Sequence, residues 1–176
     1  VDNHIPVGIS GLILGGGFPE VMADKLNSND SMLKSVKKAA EQEMPIYGEC
    51  GGLMYLTRSI TGYKNSKKHF RMVGIIDAKT EMTGRLTLNY TQADMISGAF
   101  GKIQNIKGHE FHYSKLNELP TDSQYVYHMK RGIGIDGGMH DGIVVHNSMA
   151  SYMHLHFYDS RFPTQWIKSC VKYTRK

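Results

Sequence analysis

Two short apolar runs in the first third of the chain end in glycine-rich segments, and a helical pattern follows each. Leu12–Leu14 runs into three consecutive glycines, and Ile46-Tyr47 runs into Gly48-Glu49-Cys50-Gly51-Gly52. A short apolar run that breaks into glycine is typical of a buried strand ending in a loop. Strands that alternate with helices in this way predict an α/β domain with parallel central strands.

Helix signals lie between and after these runs. Pro19 is placed to open a helix at its first turn, and Asn29 or Asp30 can cap the next one. That second helix has one apolar face and must end before Pro45. A third helical pattern follows Gly51-Gly52, and its apolar residues are Leu53, Met54, Leu56 and Ile60.

The second half of the chain has the pattern of strands separated by turns. The predicted strands cover residues 72–76, 85–91, 101–111, 124–129, 143–145 and 152–157, and a helix over 162–173 closes the chain. The sequence therefore predicts three layers: a mostly parallel sheet flanked by helices and extended by antiparallel strands. No linker is visible, so we interpret residues 1–176 as a single domain.

Composition narrows the classes of function. The chain has 176 residues and a net charge of +5, and its basic clusters at positions 64–71 and 168–176 are interpreted as solvated faces. Its longest apolar run is far below the ~20 residues that span a bilayer, and no signal-peptide pattern opens it. We therefore expect a cytoplasmic protein that binds neither nucleic acid nor membrane, with Cys50 and Cys170 as free thiols.

Cys50 has the setting of a catalytic nucleophile. Glycines two residues before and two after a nucleophile mark the sharp strand-to-helix turn that exposes it. The positive end of the following helix favours the thiolate, and the Gly51 amide would face an oxyanion beside the sulfur. A buried cysteine that packs as a small apolar residue in a glycine-rich turn is the alternative.

A partner base for Cys50 could come from late in the chain. His154 and His156 alternate in a strand-like run, so both would project from one face. Histidine can take the thiol proton and return it to a leaving group. Each could instead be a hydrogen-bonded sheet residue, or His-x-His could be half of a zinc site. We expect no metal, because Cys-x-x-Cys and His-Glu-x-x-His motifs are absent.

Two glycine-rich segments resemble nucleotide-binding loops only in part. The glycines at 15–17 lack the lysine and hydroxyl residue of a phosphate loop, and can instead supply a free backbone amide. Residues 132–137 match Gly-x-Gly-x-x-Gly, but a strand-like segment follows them where that motif requires a helix. We predict a hairpin turn there.

Four blocks in order resemble the glutaminase domain of class I glutamine amidotransferases, in the cobyrinic and cobyric acid synthase family. They are Leu14-Gly15-Gly16-Gly17-Phe18-Pro19-Glu20, Tyr47-Gly48-Glu49-Cys50-Gly51-Gly52-Leu53-Met54-Tyr55-Leu56, Gly108-His109-Glu110-Phe111-His112-Tyr113-Ser114 and Ala150-Ser151-Tyr152-Met153-His154-Leu155-His156-Phe157. The resemblance implies a flavodoxin-like fold. The family's domain usually begins one strand–helix unit earlier, so this unit could be lacking here. An exposed sheet edge would then favour association with a partner or a second copy.

The resemblance also assigns roles to residues. Cys50 matches the nucleophile and His154 the catalytic histidine, and the amides of Gly51 and Gly17 would form the oxyanion hole. Many relatives carry a glutamate two residues after the histidine, where this chain has His156. The resemblance leaves open which residue would be the third member of a catalytic triad with Cys50 and His154. Candidates for that role or for substrate binding are Gly16, Glu110, His112 and His156.

The activity that the resemblance implies is hydrolysis of L-glutamine through a cysteine thioester. The ammonia would serve ATP-dependent amidation of the a and c carboxylates of cobyrinic acid in cobalamin biosynthesis, or the same amidation on nickel-sirohydrochlorin. The chain itself would hold no cofactor, since the phosphate loop, ATP and Mg²⁺ belong to a synthase domain or subunit. Alternatives are a catalytically silent scaffold and another cysteine hydrolase of the superfamily.

Overall fold

The structure, a computed structural model, describes residues 2–62, 68–96 and 100–175. Positions 63–67 and 176, which include part of each predicted basic cluster, lie outside the described residues. A 3-10 helix spans Pro19–Met22, and the α-helices are α1 (Ala23–Ser28), α2 (Asp30–Glu41), α3 (Gly51–Leu56) and α4 (Arg161–Thr174). The strands are β1 (Leu12–Leu14), β2 (Ile46–Glu49), β3 (Thr57–Thr61), β4 (His69–Arg71), β5 (Ile76–Met95), β6 (Ile103–Asn117), β7 (Gln124–Arg131), β8 (His140–Val145), β9 (Ser148–Ser151) and β10 (His154–Leu155).

The ten strands found in the described residues belong to one sheet. Its main path runs β1-β2-β9-β8-β7-β5-β3-β4, and β6 pairs with both β5 and β10. The pairs β1–β2, β2–β9 and β3–β5 are parallel. Since β1 and β2 are neighbouring parallel strands, the glycine loop after β1 and the cysteine turn after β2 lie at the same edge of the sheet.

The α/β class and the antiparallel extension predicted from the sequence are confirmed, but the antiparallel share is larger than predicted. Among the described residues, six strand pairings are antiparallel and three are parallel. The excess comes from β5 and β6, which form one long hairpin. The sequence showed only their segments 85–91 and 101–111, because Gly84 and a register shift between Met82 and Thr87 interrupt the alternating pattern.

The sheet separates two apolar cores, because successive side chains of a strand point to opposite faces. Ile46 and Ala150 pack into the core under α2 and α3, whereas their neighbours Tyr47 and Met149 pack into the core under α4. This arrangement gives the three predicted layers. It also makes β2 a fully covered strand, so the turn at its end rests on a rigid support.

Several element boundaries differ from the prediction. The third helix ends at Leu56, not near Ile60, because Thr57 is extended and its hydroxyl donates to the Met54 carbonyl (2.7 Å). Residues 72–75 connect β4 to β5 and form no strand, and only His154 and Leu155 of segment 152–157 are in a strand. Residues 132–139 link the antiparallel strands β7 and β8, so the predicted hairpin turn is confirmed.

None of the described helices combines the length and apolarity needed to cross a membrane.

Candidate active site

Cys50 occupies a strained turn between β2 and α3. Its φ is +48°, a conformation that a residue with a side chain rarely adopts. The Cys50 amide donates to the Ser151 carbonyl of β9 (2.7 Å). The Cys50 carbonyl accepts from the Met54 amide (2.9 Å), which is the first hydrogen bond of α3. The side chain is 5% exposed, and its Sγ lies 3.5 Å from the Phe111 carbonyl oxygen. The predicted nucleophile turn is therefore present.

The glycine loop after β1 packs directly against this turn. A Cβ on Gly51 would lie 2.8 Å from the Gly17 nitrogen and from its carbonyl oxygen, so the two backbones are in contact. A Cβ on Gly52 would clash with the Leu14 carbonyl. The structure thus brings together the two residues, Gly17 and Gly51, whose amides were predicted to form the oxyanion hole.

His154 lies beside Cys50, as the prediction requires. Its strand β10 pairs with β6, and the imidazole stacks on that of His109 with 4.8 Å between ring centroids. A Cβ on Gly16 would clash with the His154 ring, so the glycine loop limits the ring on another side. The hydrogen-bonding interaction with Cys50 is the largest effect that raises the pKa of His154 to about 9, and the interaction with Glu49 is the second.

Glu49 is the residue that the sequence analysis missed. It precedes Cys50, and its Oε2 lies 3.6 Å from His154 Nδ1. Burial raises the pKa of Glu49, but hydrogen bonding with His154, Tyr47 and the Leu155 amide more than offsets it and lowers the pKa. The only signal in the sequence was an acidic residue at the end of an otherwise apolar strand, where a solvated surface residue is the ordinary interpretation.

Glu110 and His112 form a buried cluster on β6, and His112 also lines the cleft beside Cys50. The Glu110 carboxylate accepts from the Ile133 amide (2.6 Å), the Gly134 amide (3.1 Å) and the Asn89 side chain (3.1 Å). The ring of His112 lies 3.7 Å from Glu110 Oε2 and stacks on Tyr152. These contacts tie the β7–β8 turn to β6, and within the described residues Glu110 pairs with these groups and not with His154 or Cys50.

His156 lies outside β10 and is exposed. Its amide donates to the Lys107 carbonyl and its ring faces Tyr158. The expectation that His154 and His156 share one strand face is wrong, because β10 ends at Leu155 and the alternation stops there.

A narrow cleft opens beside Cys50, with a cavity volume of about 10 Å³. Its lining includes Gly17, Glu20, Met54, Phe111 and His112. Glu20, in the 3-10 helix, is 6% exposed, and burial raises the pKa of its carboxyl group. The cleft therefore offers a carboxyl group and the Phe111 carbonyl as acceptors close to the sulfur.

The described residues contain no group of three or more histidine, cysteine, aspartate and glutamate side chains that could hold a metal ion. A thiol, a neighbouring imidazole and two glycine backbones in contact beside them are the parts expected of an acyl-transfer site with a cysteine nucleophile.

Comparison with known proteins gives a family match and close curated relatives. Residues 2–162 match the CobB/CobQ-like glutamine amidotransferase domain. Cobyrinate a,c-diamide synthase from Caldanaerobacter subterraneus subsp. tengcongensis is 37% identical over 99% of this chain and 38% of its own length. The enzyme of that name from Methanosarcina barkeri is 40% identical over 84% of this chain and 32% of its own length. The chain thus spans about a third of the length of these relatives.

Solved structures share the fold at lower identity. PurLQS from Thermotoga maritima matches with a TM-score of 0.63 and 15% identity, over 99% of this chain and 84% of its own. The structure of a glutamine amidotransferase matches with a TM-score of 0.63 and 17% identity, over 94% of this chain and 81% of its own. The fold class predicted from the sequence is confirmed by these matches.

Proposed function

Because the chain belongs to the CobB/CobQ-like glutamine amidotransferase domain family, we propose that it hydrolyses L-glutamine through a thioester at Cys50. The observation that carries this proposal is the convergence of three segments on one sulfur. Cys50 lies on the strained turn after β2, Gly17 packs against the start of α3, and His154 reaches the site from β10.

The proposed reaction uses each of these parts. The Cys50 sulfur attacks the carboxamide carbon of glutamine, and the oxyanion that forms accepts hydrogen bonds from the Gly51 and Gly17 amides. His154, which carries the thiol proton, gives it to the leaving amine, so that ammonia departs and a thioester remains. His154 then takes a proton from water, which attacks the thioester and releases glutamate and the thiol.

The proposed contact for the other end of glutamine is Glu20, which lines the cleft with Cys50. An α-ammonium group needs acceptors, and Glu20 supplies a buried carboxyl group that lines the cleft. Burial of the carboxyl group is the physical cause of the raised pKa of Glu20.

The ammonia acceptor is proposed from the relatives. Their name, cobyrinate a,c-diamide synthase, favours ATP-dependent amidation of tetrapyrrole carboxylates in cobalamin biosynthesis, with nickel-sirohydrochlorin as the alternative acceptor. ATP and Mg²⁺ would be held by a synthase domain or subunit. An exposed apolar surface next to the cleft supports such a partner: Leu88 is 60% exposed, Tyr90 74% and Phe111 37%.

Glutamate release from glutamine tests the proposal, with and without a synthase partner from a relative. We expect weak activity from the isolated chain, loss of activity in Cys50→Ala, and full activity in Cys170→Ala, since Cys170 is the other free thiol and lies on α4. A glutamine-like chloroketone should label Cys50, and glutamine should block the labelling. Absence of glutamate release even with the synthase present would instead support a silent scaffold.

A further inference from the structure

We propose that Glu49 is the positioning residue for His154, supplied from the strand that carries the nucleophile. The inference rests on the proposed function, since it concerns the base of the same reaction. Glu49 ends β2, and its carboxylate reaches the imidazole of His154 on β10. Three observations support this role: the hydrogen bonds that hold the Glu49 carboxylate, the contacts that hold the His154 ring, and the contacts that Glu110 and His156 make elsewhere.

The carboxylate of Glu49 is fixed on one of its two oxygens. Oε1 accepts from the Tyr47 hydroxyl (2.7 Å) and from the Leu155 amide (2.9 Å). With Oε1 held in this way, Oε2 is directed at His154 Nδ1. The side chain is 14% exposed, so water screens the interaction less than it would at the surface.

The imidazole of His154 is held on three sides. His109 stacks on its face, Gly16 borders its edge, and Glu49 faces Nδ1. A carboxylate at Nδ1 keeps the proton on that nitrogen and leaves Nε2 to exchange a proton with Cys50. It also stabilises the imidazolium that forms when the thiol proton is taken.

Other side chains near the site do not fit this role. Glu110 already accepts hydrogen bonds from two amides and from Asn89, and His156 faces solvent. A purely structural role for Glu49, as a link from β2 to the Leu155 amide, accounts for Oε1 only. It does not account for the second oxygen at Nδ1.

Glu49→Gln tests the proposal, because the amide keeps an acceptor oxygen for Tyr47 and Leu155 and removes the negative charge. We expect kcat for glutamine hydrolysis to fall at least ~10-fold, since positioned acid–base catalysis contributes about 10²–10⁴-fold. KM should change less than about 3-fold. The control is Glu43→Gln, which removes the carboxylate of an exposed pair, Glu43 with His146 (3.4 Å), and should leave kcat unchanged.

A second measurement separates positioning from a structural link. The pKa of His154, followed by NMR of its imidazole and identified with His154→Gln, should fall in Glu49→Gln and stay unchanged in Glu43→Gln. The alkaline limb of the rate profile should move to lower pH with it. The titratable groups that face His154 are Cys50, Glu49 and His109, and burial, followed by the charge of His156, lowers the pKa of His109. The pKa of His154 should therefore also be measured in His109→Gln, to separate the effect of His109 from that of Glu49.

The outcomes distinguish this inference from the proposed function. If the wild-type chain releases no glutamate with any synthase, the proposed function fails, and the NMR titration still decides whether Glu49 controls His154. An unchanged pKa together with unchanged kcat in Glu49→Gln overturns the inference. If Glu49→Gln unfolds, Tyr47→Phe replaces it: removing the hydroxyl from Oε1 should lower kcat several-fold, and no change in kcat or in the His154 pKa would overturn the inference.

Discussion

At position 16 the structure accommodates no side chain beside His154. A Cβ there would clash with the imidazole, whereas a Cβ on the neighbouring Gly15 would meet open space. We therefore predict that Gly16→Ala displaces His154 and lowers glutaminase activity about 10²-fold, since a shift of roughly 1 Å in a catalytic group can cost that much. Gly15→Ala, the matched control, should keep full activity.

Gly16 is exposed, so the same substitution should leave stability nearly unchanged. We expect the free energy of unfolding of both alanine variants to stay within about 1 kcal/mol of wild type by urea titration. Equal activity in Gly16→Ala and Gly15→Ala would show that the contact between the glycine loop and His154 is unimportant for the reaction.

Glu20 should control substrate binding rather than the chemical step. In Glu20→Gln we predict that KM for glutamine rises about 10-fold while kcat stays within a factor of about 3, because a charge-assisted hydrogen bond to the ammonium is lost. Asp24→Asn removes an exposed carboxylate one turn away and should leave both parameters unchanged. Equal loss of kcat and of kcat/KM in Glu20→Gln would contradict a binding role.

At the scale of elements, Asp141 connects β8 to the segment that leads into β10. Its buried carboxylate accepts from the amides of Gly142 (2.7 Å), Tyr152 (3.0 Å) and Met153 (2.8 Å). Asp141→Ala would leave these amides unpaired, at about 1–3 kcal/mol each, so we predict a loss of several kcal/mol in the free energy of unfolding. Asp77→Ala, which removes an exposed partner of Arg58, should cost less than about 1 kcal/mol.

The effect of Asp141 should also depend on pH. Burial raises its pKa from 3.8 to about 6. Because the pKa in the folded state is the higher one, the protonated form stabilises the fold, and this contribution is lost as pH rises from about 4 through 6. The difference in unfolding free energy between wild type and Asp141→Ala should therefore be largest near pH 4 and narrow by pH 7. A difference that grows over this range would contradict the buried, proton-binding carboxyl group.

The elements explain which parts of the site could be predicted from sequence. The turn at Cys50 could be predicted, because the glycines around it and the apolar strand before it are neighbours in the chain. The contact of His154 with Glu49 could not be predicted. It depends on a hydrogen bond between the Glu49 carboxylate and the Leu155 amide, which is 106 positions away in the chain. The length of β5 was missed for a similar reason: pairing with β6 continues across a bulge that breaks the sequence pattern.

At the scale of the whole molecule, β1 is one end of the main sheet path of the described residues. It is paired with β2 on one side, and Ile13 in its centre is 47% exposed. An edge strand with an exposed apolar residue is a template for pairing with another chain. We therefore predict that the chain associates in solution, with a mass above the monomer by light scattering at ~100 µM.

Ile13→Lys tests whether that edge is the interface. A charge in the middle of an edge strand opposes strand addition without disturbing the pairing of β1 with β2, so the variant should shift the mass towards the monomer. Val7→Lys, an equally apolar-to-charged change at a fully exposed residue before β1, should leave the mass unchanged. Because β1 leads directly into the glycine loop at Gly16 and Gly17, association at this edge would also rigidify the loop. Glutaminase activity per chain should then rise with protein concentration in wild type and not in Ile13→Lys, and a monomeric wild type with constant specific activity would refute the coupling.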